Sequence, residues 1–580
     1  MTRIVVRCLL VLLVNGVFFL NTTGLSHAGT LEVPGKYSTI QAGIDAAVNG
    51  DAVLVASGIY TGTGNKNLDF KGKNITVQSV NGPDKTIIDC QNSGRGFLFR
   101  RGEGAAARVI GFTIKNGYVD GNSPYGGKGG GIYCGSSSPT ILNCIISACK
   151  ANGFGGGGIA LYFSSARIEN TIIEYNLTND TGGGILINGM AGSVGPTVYN
   201  SIIRYNKTSG PSSGGGICVI ASHSVISYCT ISNNDADITY VGVPGQEATN
   251  SGGISFRDGS TGILEFSIIS HNKAQERGGI GSWNATPTIH NCLIEMNEAT
   301  VYGGGGIGLY FNSNATIRKS TIRNNLAKEY GGGISIWNET VSSAGPLLED
   351  SIIENNNGGD AGGGLNVFNG APEISRSIIR NNTSITRAGV ALNASNGATS
   401  SAFANSLIYG NIASGFGGGV TCLAGGGASI SNCTIATNQS GSGNADLYVN
   451  SATATVVNSI VWGNGQSSTI DAFITYSDIS GGHSGDGNID TDPQFVSPSD
   501  FHLSSTSPCI NTGSNSAGLA SVDLGGNARV YGAIVDMGAY EFPFVDGVPG
   551  TSGQIGAVIT QMSITTGNIT PILHLLLHKP

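Results

Sequence analysis

The sequence predicts an all-β solenoid, a parallel β-helix of about a dozen turns, and three observations carry that prediction. A phrase of one small residue, two aliphatics and an Asn returns along the chain, as in N-S-I-I-R-Y-N at Asn200 to Asn206, K-S-T-I-R-N-N at Lys319 to Asn325 and R-S-I-I-R-N-N at Arg376 to Asn382. Its second aliphatic recurs every 25 to 38 residues from Ile146 to Val461. The aliphatic after each glycine cluster, from Ile132 to Val420, keeps the same register. A fixed period means that each unit is one supersecondary turn whose core is buried between neighbours. Units this short, rich in Ile, Thr, Ser, Asn and Gly, suit strands and turns rather than helix pairs.

Taken from the N-terminus, residues 1–28 read as an export signal. Arg3 and Arg7 precede an apolar run from Cys8 to Leu20, and Ser26-His27-Ala28 offers a small-x-small cleavage site. Removing two Arg leaves 27 basic against 37 acidic residues, a net charge of −10. That balance argues against nucleic acid and against electrostatic attraction to anionic membranes or acidic polysaccharides. No other segment reads as a membrane-spanning helix. The mature chain keeps ten cysteines for an oxidising compartment. Cys144, Cys229, Cys292 and Cys433 stand where most turns have Ser or Thr, which suggests a buried stack of small residues. Cys134 with Cys144, and Cys422 with Cys433, lie on inward positions of one turn, so either pair could bridge.

An open solenoid end needs a cap. Tyr37 to Asn49 reads as an amphipathic helix, with Ser38 and Gln41 as a capping box, an apolar face of Ile40, Ile44, Ala47 and Val48, and Gly50 as the stop. The stretch Y-S-T-I-Q-A-G-I-D-A-A-V-N-G-D-A-V-L-V-A-S-G-I-Y resembles the N-terminal cap of secreted right-handed β-helix proteins related to pectate lyases and pectin esterases. Near the other end, N-I-D-T-D-P-Q-F, D-F-H-L, S-S-T-S-P-C-I-N-T-G and D-M-G-A-Y-E-F run in order between Gly487 and Phe542. That set resembles the choice-of-anchor Q domain of bacterial surface and secreted β-helix proteins, with Asn511 where Asp is usual. The resemblances imply a right-handed helix and export, and no single reaction. The chain thus divides into the signal (1–28), cap and first turns (29–110), regular repeats (111–470), a closing domain (471–542) and a tail without a recognisable sorting motif (543–580).

Three residues after the second aliphatic stand Asn176, Asn206, Asn234, Asn272, Asn297, Asn325, Asn356, Asn382, Asn411, Asn438 and Asn464. Asn tolerates the left-handed backbone of a sharp corner, and its amide can bond the amide one turn away, so the column reads as a structural ladder. Strand alternation then points Tyr162, Trp283, Tyr310, Trp337 and Phe368 outward. An exposed flat aromatic row matches the apolar face of pyranose rings. The alternative is a purely structural stack under a loop. Glu174 and Arg204, then Glu295, Arg323, Glu354 and Arg380, form a charged column that favours correct register.

Asp486, Asn488, Asp490 and Asp492 alternate at a spacing that could wrap Ca²⁺, the sole cofactor suggested, though without a downstream bidentate Glu they also fit turn chemistry. A lyase reading would use one Arg as base with acids holding Ca²⁺, but the acids along the column would repel a polyanion and no compact Asp cluster appears. The sequence therefore points to an exported, monomeric, non-catalytic protein at the surface or secreted, binding a polysaccharide or cell-surface glycan. A polysaccharide lyase or glycoside hydrolase on the same scaffold is the alternative.

Overall fold

A computed structural model describes residues 29–543 apart from 210–213, 237–249, 341–344, 396, 398, 444–445, 464–471 and 517. The export signal and the tail from 544 lie outside the described residues, as does Asn464. A full turn runs through up to four short strands, which form sheet A (17 strands), sheet B (16), sheet C (14) and sheet D (8 strands, with 3 more pairing separately), so some turns lack a sheet D strand. Within these sheets strands pair in parallel with their equivalents in adjacent turns, and sheet C measures about 14 turns, whereas Phe495–Ser497 and Asp500–Leu503 pair antiparallel in the closing region. This is the parallel β-helix expected from the repeats, with the right hand that the resemblance implied. The count exceeds a dozen because the first turns lack the repeated phrase and are carried by segments such as Phe97–Phe99 and Arg108–Ile110.

Register follows the two aliphatic columns. Ile146 pairs with Ile173, Ile173 with Ile203, and so on to Val461 in sheet B. Ile132, Ile159 and Ile185 begin the matching file in sheet C. These side chains are buried in one continuous core. Pairing in register makes that core a stack of like residues, so each turn buries its aliphatics only against the next.

The ladder forms. Asn176 Nδ2 donates to Asn206 Oδ1 at 2.9 Å, and the relay runs through each asparagine to Asn438. Each Oδ1 also accepts from a backbone N–H of the turn before, and each Nδ2 also reaches a backbone carbonyl, as Asn356 does with Asn325 N and Ile322 O. The left-handed residue is the one before the ladder, not the ladder asparagine: Tyr175 (φ 56), Met296 (φ 55), Asn324 (φ 53) and Thr437 (φ 56) occupy it. Four bonds per asparagine over-determine the corner, so residue types that dislike positive φ are held there. The last glycine of a cluster is needed for close approach. A Cβ on Gly306 would sit 2.6 Å from the Gly333 carbonyl oxygen.

At the N-terminus the helix is Ile40–Ala46, capped by Thr39, whose hydroxyl accepts from Ala42 N at 3.2 Å. Ser38 is not the cap. Gln41 instead bonds the backbone of Asp69, the first sheet C turn beneath it. Val48 lies beyond the helix and is exposed, because the chain has already turned toward Asp51. All ten cysteines are buried and unpaired. Cys144 Sγ turns to the carbonyls of Leu142 and Val109, and Cys433 Sγ to Ser431 O, so neither expected bridge forms. In the neighbouring turns the same position is a hydroxyl relay in which each backbone N–H donates to the hydroxyl one turn on, Ser320 N to Ser351 Oγ, Ser351 N to Ser377 Oγ and Ser377 N to Ser406 Oγ, each at 3.2 Å.

Candidate functional site

The aromatic column lies on sheet C. Trp283, Tyr310, Trp337 and Phe368 occupy the fourth position of successive strands and pair in register. Tyr162 is on the same face but four turns from Trp283, beyond Asn188, Ile220 and Arg257. Its hydroxyl donates to Phe154 O at 2.9 Å, with Lys128 over the ring at 4.3 Å. The column is less open than a bare outward row. Tyr310 is buried, its hydroxyl donating to Gly303 O, while Trp283, Trp337 and Phe368 are half-buried. Trp283 packs at 3.7 Å on Phe311 and Trp337 stacks at 4.3 Å on Phe368. Outward positions are partly shaded because successive rings at strand spacing cover one another.

Sequence reasoning missed the residue between these rings. Arg277 is 1% exposed, with its guanidinium 4.0 Å from the Tyr310 ring and 5.6 Å from Trp283. Its Nη2 lies 3.1 Å from Glu276 Oε2, yet neither Nη2 nor Nε is aligned for a hydrogen bond. Gly281 and Gly308 make room for it, since a Cβ on either would lie within 2.7 Å of the arginine's side chain. Those glycines inside otherwise aliphatic strands, I-G-S-W and I-G-L-Y, were the available clue. Ser251 Oγ, both side-chain atoms of Asn250 and Arg257 Nε are also buried without partners. Toward Tyr162 the face carries Asp180, whose carboxyl is pushed up by burial. Each unmet buried group costs ~1–3 kcal/mol, so the face between Asp180 and Trp337 holds polarity that the fold itself does not use.

The charged column on sheet B resolves into discrete pairs. Glu174 bonds Arg204 at 2.8 Å, Glu295 bonds Arg323 at 2.8 Å and Glu354 bonds Arg380 at 2.6 Å. Aromatics absent from the sequence reading flank it, Tyr175, Tyr205 and Tyr228 exposed and Phe266 half-buried. Tyr175 and Tyr205 stack at 5.0 Å and 6°, and Tyr228 and Phe266 at 5.0 Å and 9°.

The proposed Ca²⁺ ligands serve turns. Asn488 Oδ1 accepts from Ser477 N and its Nδ2 donates to Ile474 O, which ends the hydroxyl relay. Asp490 accepts from Gly481 N and Asp492 from Gln494 N, while Asp486 contributes its backbone carbonyl to Tyr476 N. No group of three His, Cys, Asp or Glu converges on a metal position among the described residues. In the closing region, Asp536 accepts from Asn511 N and Phe542 N. Glu541 pairs with buried Arg529, which also donates to the carbonyls of Asp536 and Gly538. The acids of D-M-G-A-Y-E-F therefore hold loops together.

A family model matches the middle of the chain. Residues 197–343 and 247–406 match the right handed beta helix region. No curated protein matches. Among solved structures, pectate lyase Pel9A is similar at 14% identity over 90% of this chain and 98% of that one (TM-score 0.21). The periplasmic alginate epimerase AlgG is similar at 12% over 73% and 77% (0.32). The GH87 alpha-1,3-glucanase catalytic unit from Streptomyces thermodiastaticus is similar at 14% over 78% and 66% (0.28). At these scores none assigns a residue or reaction to this β-helix. No helix among the described residues is long and apolar enough to cross a membrane.

Proposed function

We propose that this β-helix is an exported surface or secreted protein that binds a polysaccharide or cell-surface glycan, as a monomer and without catalysing its cleavage, on the outer face of sheet C. The observation that carries the reading is the pair Trp283 and Trp337. They stand two turns apart in one outward column and remain partly open to solvent, while Tyr310 between them is held down by Arg277. Two partly exposed indoles at about 10 Å, twice the strand spacing, suit sugar rings along one glycan chain, and the unpaired N–H groups beside them can meet hydroxyls. The choice-of-anchor Q resemblance supports a surface location.

The test is a glycan array with the full chain, followed by tryptophan fluorescence titration of each hit. Trp283→Ala/Trp337→Ala should lose retention about tenfold or more while keeping its melting transition. Reducing-end or unsaturated products appearing during the titration would move the protein to the lyase or hydrolase alternative. An array without hits, together with indoles that acrylamide does not quench, would leave the column as packing.

A further inference from the structure

On the outer face of sheet B the charged column breaks for two turns. Ser232 and Ser270 stand between Arg204 and Glu295 at the same strand position. Alternation sends Ile231 and Ile269 into the core and both serines outward. Two short side chains between two long ones leave a depression, about 14 Å from Arg204 to Glu295 at three strand spacings. The serines at its floor are 8% and 7% exposed, and neither hydroxyl bonds another group among the described residues.

One side wall is the stacked pair Tyr228 and Phe266, with Tyr228 44% exposed. Opposite, Tyr205 and Met296, 43% and 48% exposed, bracket Asn233 and exposed His271. The ends have opposite signs. Arg204 gives Nε and Nη2 to Glu174, and its Nη1 bonds no group among the described residues. Glu295 accepts from Arg323 at Oε2, and its Oε1 accepts from no group among the described residues.

We propose that this depression is a second carbohydrate site, separate from sheet C, and that it takes a short neutral oligosaccharide. A polyanion would gain at Arg204 what it loses at Glu295. An uncharged polyol accepts from one end, donates to the other, meets both free serine hydroxyls, and lays an apolar ring face on Tyr228.

The register supplies the test. Ser232→Glu/Ser270→Arg fills the depression and restores strict alternation of sign from Arg204 to Glu295, so the fold is kept. Calorimetric titration of the full chain with neutral gluco-, manno- and xylo-hexasaccharides, with oligogalacturonate as acidic control, reads the site. The expected result is binding of at least one neutral ligand that weakens about tenfold or more in the double variant, with an unchanged melting temperature, and that survives in Trp283→Ala/Trp337→Ala. If the double variant melts early, Tyr228→Ala, an exposed truncation, must weaken the same ligand. No neutral binding, binding of the acidic control alone, or neutral binding lost only in the tryptophan variant would overturn the proposal.

Discussion

Asn438 donates its side-chain N–H to a carboxylate, Asp446 Oδ1, at 2.9 Å, and Asp446 also accepts from Asn438 N at 3.0 Å. The column of amides that starts at Asn176 runs head to tail, so its last donor needs an acceptor. An aspartate that is only 2% exposed supplies it.

Burial pushes the Asp446 carboxyl up to about 6 against the pull of these two bonds. Its folded value lies above the unfolded ~3.9, so the folded state binds the proton more tightly and stability falls as pH rises from about 4 to about 6. Asp446→Asn keeps the acceptor and removes the charge. Its melting temperature should exceed that of the native chain at pH 7.5, by the equivalent of ~3 kcal/mol, and the gap should close at pH 4. Scanning calorimetry at both values checks this. A gap independent of pH would mean that Asp446 is not titrating.

Within the ladder, Asn356→Ala strips Asn325 N, Asn325 Nδ2 and Asn382 Oδ1 of a partner at once. Asn325 N is left orphaned while Asn325 Nδ2 and Asn382 Oδ1 keep only their backbone partners, and at ~1–3 kcal/mol for an orphaned buried group this is one of the costlier single truncations in the repeats. A one-residue insertion between Ile353 and Glu354 should cost at least as much, because it turns that strand's side chains to the wrong faces. Chemical denaturation of both variants gives the comparison.

Gly308→Ala places a methyl 2.6 Å from Arg277 Cγ. Overpacking at a filled site costs ~1–3 kcal/mol. The displaced guanidinium leaves Tyr310 and Trp283, so the tryptophan emission should shift along with the melt. An unshifted spectrum would place Arg277 elsewhere.

All ten thiols should stay unreactive to iodoacetamide in the native chain and alkylate fully on unfolding without reductant. Burial pushes Cys144 up to about 11 and Cys433 to about 12, so little thiolate exists at neutral pH. Unreduced peptides carrying a Cys134–Cys144 or Cys422–Cys433 link would contradict the unpaired state.

The sequence by itself determined the solenoid, its register and its ladder, because a repeat pairs each residue with its own counterpart and a single column of Ile or Asn states the pairing. It also marked Trp283, Tyr310, Trp337 and Phe368 as outward. Only the tertiary structure decided how open they are. Exposure depends on Phe311 beside Trp283 and on Arg277 reaching back from the preceding glycine corner, contacts between different positions of different turns that no column records. The same reason hid Asp446, which enters the ladder eight residues after its partner, and the serine gap on sheet B, whose depth comes from the long side chains on either side of it.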